Sequence, residues 1–210
     1  AEQLNFGLCK MGETLSQAKV GNLIALIEEL ERWNKKINLT AIRSVKNMIS
    51  GHLLDSLAVR PFLHGKTIID VGSGAGFPGL PLAIADSTIN FMLLDSNRKK
   101  IGFIKHIISL LNLKNVEVIK IRAEDYFPTN GFDTVIARAL TDIPNLIALT
   151  GHMLQKRGVI VSLKGKNPTE ELSKIPEGWK YSVTKITVPG IEQHERHIIS
   201  LQNLIIQSND

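Results

Sequence analysis

Ile68-Ile69-Asp70-Val71-Gly72-Ser73-Gly74-Ala75-Gly76-Phe77-Pro78-Gly79 begins as an apolar run, breaks into alternating glycines and then meets a proline. Branched apolar residues suit a buried strand. Glycines let the backbone turn tightly and leave no Cβ between it and a ligand. Pro78 suits a first helical turn, where its missing N–H is not needed. Strand, glycine turn and helix together form the opening unit of an open α/β sheet. Such sheets bind ligands outside the carboxyl ends of their strands.

Working outward, the same texture repeats. Strands are predicted at Thr67–Val71, Asn90–Leu94, Val116–Ile121, Thr134–Ala137 and Val159–Leu163, with helices over Phe77–Ala85, Arg98–Leu111 and Ile143–Leu154. Strands alternating with helices imply a parallel sheet of right-handed crossovers. After Gly178, the runs Lys180–Val188 and Arg196–Leu204 follow one another without a helix, as an antiparallel pair at the sheet edge would. Upstream, Leu15, Ala18, Leu23, Ile24, Ile27, Leu30 and Trp33 recur at helical spacing, and Thr40 to Arg60 carries a second such pattern that Pro61 ends. The expected architecture is α/β, a Rossmann-like, doubly wound, mostly parallel seven-stranded sheet with an antiparallel last strand over 63–210. Residues 1–62 form a helical cap that is not an independent domain.

Composition narrows the chemistry. Lys plus Arg is 25 against 20 for Asp plus Glu, a net charge of +5 that suits a nucleic-acid partner through phosphate contacts. The single cysteine, Cys9, leaves no internal disulfide and no Cys-based zinc site, and suits a reducing cytoplasm. It also stands far from the glycine turn, a poor position for the nucleophile that cytosine-C5 methylation requires. The six histidines are scattered, and no metal site is expected. No apolar run is long enough to span a membrane, and Ala1 to Lys10 does not read as a signal peptide.

Three ligands compete for the glycine turn. A phosphate-binding P-loop needs Lys-Ser/Thr after its glycines, and Gly79-Leu80 stands there instead. A dinucleotide turn needs G-x-G-x-x-G, which Gly74 to Gly79 satisfies formally. A site for S-adenosylmethionine (SAM) takes an acid, any residue and then G-x-G-x-G, which Asp70 to Gly76 matches in full. Asp70 there suits the cationic methionine end of SAM, directly or through water. Asp95, on the order of twenty residues past the glycines, stands where a carboxylate accepts both ribose hydroxyls. It also suits a helix N-cap, as do Ser96 and Asn97. Arg122-Ala123-Glu124-Asp125-Tyr126 follows the third strand, where a small residue and an acid can meet an adenine ring.

Longer motifs decide more. Trp33-Asn34-Lys35-Lys36-Ile37-Asn38-Leu39-Thr40-Ala41-Ile42-Arg43, then His52-Leu53-Leu54-Asp55-Ser56, then Asp70 through Leu82 resemble the GidB/RsmG family of 16S ribosomal RNA guanine-N7 methyltransferases. So do Leu94-Asp95-Ser96, Ala137-Arg138-Ala139, Leu163-Lys164-Gly165 and Glu195-Arg196-His197. The resemblance covers nearly the whole chain in order, and generic methyltransferases lack W-N-x-x-x-N-L-T and H-x-L-D-S. It implies a class I SAM methyltransferase fold, SAM as cofactor, and the small ribosomal subunit as partner; the oligomeric state is not legible in the sequence, and a monomer is the default expectation. By resemblance, Gly72, Phe77, Ala123, Glu124 and Arg138 contact SAM, Asp95 holds the ribose, and Ser73, Gly74 and Gly76 belong to the loop. Asn38, Thr40, Arg43, His52, Asp55 and Ser56 face or brace the substrate pocket. The chain departs from the pattern at Gly51, where a basic residue is expected.

The chemistry implied is spare. Guanine N7 has a lone pair and no proton, so it can attack a methyl group in line without a general base; alignment and electrostatics remain for the enzyme. The Asn/Asp-Pro-Pro-Tyr/Phe motif used for exocyclic amines is absent, and Ala137-Arg138-Ala139-Leu140 follows the fourth strand in its place. Arg138 suits a SAM carboxylate or an RNA phosphate. Arg43, Lys164, Lys166, Arg98, Lys99, Lys100 and Lys105 are the candidates for RNA contact.

Overall fold

The structure is a computed structural model that describes residues 1–204. Residues 205–210, the end of the expected 63–210 sheet domain, lie outside the described residues. The cap contains α1 (Glu2–Lys10), α2 (Gln17–Ile37), α3 (Val45–Met48), a π-helical turn (Ile49–Leu54) and α4 (Asp55–Leu57). The sheet domain follows as β1 (Thr67–Val71), α5 (Gly79–Ala85), β2 (Asn90–Asp95), α6 (Arg98–Leu110), β3 (Val116–Lys120) and β4 (Phe132–Arg138). It ends with α7 (Ile143–Thr150), β5 (Leu154–Lys164), α8 (Thr169–Leu172), β6 (Trp179–Ile186) and β7 (Arg196–Asn203).

The seven strands run in the order β3-β2-β1-β4-β5-β7-β6. The first five are mutually parallel, and β7 inserts between β5 and β6, antiparallel to both. This is the expected sheet, with the late pair at one edge. Two apolar cores sandwich it, as the strand period of two requires: in β1, Ile68 joins the core under the cap, α5 and α6, while Ile69 and Val71 join the core under α7. No helix among the described residues is long and apolar enough to cross a membrane.

The second cap helix departs from expectation. Residues 40–44 are irregular, Ser44 caps α3 by accepting from Asn47 N at 3.3 Å, and the helix then widens into the π turn. Gly51, the weakest helix former in that run, lies inside it, and its carbonyl accepts from Arg138 Nη1 at 3.2 Å. A Cβ at Gly51 would stand 2.9 Å from Ile42 Cδ1, so the basic residue expected there has no room without movement of Ile42. The helix expected from Phe77 starts at Gly79, with Pro78 as its N-cap residue.

Candidate active site

Sheet order reverses between β1 and β4, and the crevice at their carboxyl ends is a cleft of about 630 Å³. Gly72, Ser73, Gly74 and Phe77 line it from the glycine turn, Asp95 and Lys100 from the β2–α6 junction, and Ala123 and Glu124 from the turn after β3. Arg138 and Leu140 line it beyond β4, and Leu39, Thr40 and His52 close it from the cap. Eleven of the expected site residues thus converge on one cleft from distant parts of the chain.

The glycine turn is held from two sides. Gly72 and Ser73 donate to Leu94 O at 2.8 and 3.0 Å, and Gly74 donates to Asp95 Oδ2 at 2.9 Å. Asp95 Oδ1 accepts from Asn97 N at 2.7 Å, and Asn97 Oδ1 caps α6 by accepting from Lys99 N and Lys100 N. Asn97, not Asp95, therefore caps α6, and Asp95 lines the cleft. Gly74 has φ +60°, and a Cβ there would meet nothing nearer than Lys100 Nζ at 3.9 Å. Its bare backbone is open to a ligand. At Gly76, outside the cleft, a Cβ would fall 2.4 Å from Leu80 Cδ1, so that glycine serves packing.

Asp70 does not line the cleft. It is fully buried, and its Oδ2 accepts from Gly79 N at 2.7 Å at the start of α5, while Oδ1 has no protein partner. Burial pushes its carboxyl up to about 7, opposed by the Gly79 N–H and by Arg138, with the negative charge of Asp95 adding to the rise. Folding therefore takes up a proton between the ordinary value of 3.8 and about 7, and this group's contribution to stability falls as pH rises through that window. Asp70→Asn removes the titration. Its stability relative to the parent should climb between about pH 4 and 7 and flatten above, as thermal melts across pH would show. A difference independent of pH would refute the assignment.

The cap presents a connected polar cluster. His52 is buried and stacks on Phe77 with ring centroids 4.6 Å apart. Burial, then the nearby Arg138 charge, lowers its pKa to about 3, so the ring is neutral. Arg138 Nη2 lies 3.3 Å from His52 Nδ1, and Nη1 lies 3.4 Å from Asp55 Oδ2. Asp55 accepts also from Arg196 Nε at 2.8 Å, across 141 positions of sequence. Arg138 thus spends these donors on the cap, not on a bound carboxylate. Ser56 is fully buried behind the site. Asn38, in the left-handed region at φ 48°, is exposed and accepts from Arg43 Nη2 at 3.0 Å. Neither Asn38 nor Arg43 lines the cleft.

Lys164 requires a correction. Its Nζ donates to Thr141 O at 2.8 Å and to Glu171 Oε2 at 2.7 Å, with only 13% of its side chain exposed. The same Glu171 oxygen accepts from Ile143 N at 2.8 Å. Lys164 braces the loop after β4, which carries Leu140 over the cleft, and its mostly buried ammonium is paired with Glu171 instead of standing open to RNA. Exposed cations remain at Arg43, Arg98, Lys99, Lys105 and Lys166. Arg196, Asn34 and Glu171 went unassigned from sequence because their roles rest on tertiary partners; only Asn34, inside the W-N-x-x-x-N-L-T motif, and Arg196, beside His197, had any sequence signal.

Comparison with known proteins agrees with this geometry. Residues 19–199 match the family model described as GidB, rRNA small subunit methyltransferase G. The chain is 48% identical over 174 residues to "Ribosomal RNA small subunit methyltransferase G" of Legionella pneumophila (strain Corby), covering 83% of this chain and 82% of the relative. It is 43% identical over 199 residues to the protein of that name from Idiomarina loihiensis, covering 94% and 96%. Among solved structures, a SAM-dependent methyltransferase from Aquifex aeolicus shares the fold with a TM-score of 0.58 at 17% identity, covering 85% of this chain and 98% of that one. TYW2 of M. jannaschii, solved in complex with AdoMet, gives 0.53 at 20% identity, covering 71% and 76%. With a seven-stranded sheet of this order, and family motifs spread along most of its length, the chain belongs to the rRNA small subunit methyltransferase G family.

Proposed function

We propose that this chain transfers a methyl group from SAM to N7 of a guanine in 16S ribosomal RNA, by direct in-line attack without a general base. The family name carries the rRNA substrate. The residues of the cleft fit the cofactor. Asp95 offers a carboxylate to vicinal ribose hydroxyls, Gly74 a bare backbone, and Ala123 and Glu124 a small surface and an acceptor. The buried Ser73 hydroxyl lacks a protein partner on the cleft wall and is available to the ligand. When bound, SAM supplies an electrophilic methyl group on a sulfonium centre.

The observation that carries the mechanism is the state of His52. It is the imidazole of the cleft, and both of its nitrogens are already committed, one to Arg138 and one to Thr40. A base so engaged is poorly placed to take a proton, and N7 has none to give. What the chain then contributes is alignment: the His52–Phe77 stack and the Arg138–Asp55 pair fix the cap against the glycine turn and the end of β4. Arg98, Lys99, Lys100, Arg43 and Lys166 contact RNA phosphates in this reading. The chain acts as a monomer in the cytoplasm on the small ribosomal subunit.

The test is transfer of tritiated methyl from SAM to small ribosomal subunits, followed by mapping of the labelled atom. Label on guanine N7 is expected. Label on an exocyclic amine or a ribose hydroxyl would sink the mechanism.

A further inference from the structure

The donors and acceptors around Thr40 can be assigned one by one. Arg138 carries only donors, so His52 Nδ1, 3.3 Å from its Nη2, presents a lone pair. The ring is neutral, and its single proton therefore sits on Nε2. That nitrogen lies 2.9 Å from Thr40 Oγ1 and donates to it. The backbone N–H of Ile42 donates to the same oxygen at 3.2 Å. A hydroxyl oxygen has two lone pairs, and both are now taken. Its own proton has no acceptor among the described residues, and Thr40 stands on the wall of the cleft beside His52 and Phe77.

The residue cannot turn away from this arrangement. Thr40 N donates to Asn34 Oδ1 at 2.9 Å, and Asn34 Nδ2 donates to Thr40 O at 3.0 Å. Asn34 is itself buried in the last turns of α2. The His52 ring is fixed by its stack on Phe77. Thr40 is thus a hydroxyl on the cleft wall with only its proton left to offer a ligand.

We propose that Thr40 is a specificity-determining residue whose hydroxyl donates to the 6-carbonyl of the target purine, admitting guanine and opposing adenine. Guanine presents acceptors at both N7 and O6, whereas adenine places an amino donor beside N7. A donor-only hydroxyl facing that amino group leaves two donors opposed and desolvated. This inference rests on the guanine-N7 reading above.

The experiment compares kcat/KM for methyl transfer to small ribosomal subunits carrying either guanine or 2-aminopurine at the mapped position. 2-Aminopurine keeps N7 and lacks O6. The unmodified enzyme should prefer guanine about tenfold, the worth of one buried hydrogen bond. Thr40→Val should lose about tenfold on guanine and nothing further on 2-aminopurine, and Thr40→Ser should recover the loss. Thr40→Val also leaves the His52 and Ile42 N–H groups without an acceptor, so SAM affinity by calorimetry checks that its cleft is intact. Equal losses on both bases would show that Thr40 only supports the cap, and would overturn the proposal. Equal rates of the unmodified enzyme on the two bases would overturn it without any variant. Failure of the underlying reading has a different signature: label mapped away from guanine N7 in the unmodified enzyme, which withdraws this inference too.

Discussion

Asp95→Ala should raise the dissociation constant for SAM about a hundredfold, some 3 kcal/mol, and reduce methyl transfer at limiting cofactor accordingly. Two losses combine. The carboxylate accepts from Gly74 N at 2.9 Å and from Asn97 N at 2.7 Å, so it pins the glycine turn to the start of α6. The carboxylate also lines the cleft, and charge-assisted bonds to ribose hydroxyls are worth about 1.5–3 kcal/mol. Lys100 Nζ lies 3.9 Å from Oδ2 and, having only donors, cannot take over the carboxylate's role as acceptor. Asp95→Asn retains an acceptor and should fall between the two. Calorimetry with SAM and S-adenosylhomocysteine measures both variants. A dissociation constant within about twofold of the parent would remove Asp95 from the binding site.

Asp55→Ala should be the most destabilising single change at the site. Asp55 is 4% exposed and is shared by Arg138 at 3.4 Å and Arg196 at 2.8 Å. Its removal leaves two guanidinium groups of the sheet, at the end of β4 and the start of β7, without the cap carboxylate they share. Breaking a buried pair by deleting one partner costs about 3–5 kcal/mol. The arginine side chains are 23% and 27% exposed, and water recovers part of that, so a loss of ~3 kcal/mol is expected. For a chain of this length that is a fall of roughly 6–12 °C in melting temperature. Activity should fall further than stability explains, because Arg138 no longer holds His52 against Phe77. Scanning calorimetry and methyl transfer at a temperature where the variant is folded separate the two effects. A melting point within about 2 °C of the parent would mean that the two arginines find other partners.

The glycine turn, the strand–helix alternation and the late strand pair were legible because each is written in adjacent residues. Asp70 to Gly79 fixes a local path, and the β-branched runs fix strands with their period. Asp95 was legible as an acid of the second strand, though only the structure shows that Asn97 takes the capping role and leaves it free. Thr40 and His52 were visible through their motifs, yet their chemistry comes from Arg138, 86 positions beyond His52. Lys164 read as an RNA cation because its charge is plain in sequence and its partner Glu171 is not. The π turn was hidden because Val45, Met48, Ile49 and Leu53 keep a helical apolar pattern through it. Asp70 matched its motif, but its burial and its grip on Gly79 depend on where α5 docks.

Inserting β7 between β5 and β6 has a consequence for biosynthesis. On a chain emerging from the ribosome, β6 appears first and has no neighbour of its own: it pairs with β7 alone among the described strands, while β5 keeps an open flank. Both wait for Arg196–Asn203, which also brings the second guanidinium to Asp55. A nascent chain halted before Arg196 therefore exposes two unsatisfied ladders at once, and quality control by proteolysis or chaperones should meet that species rather than a shortened enzyme.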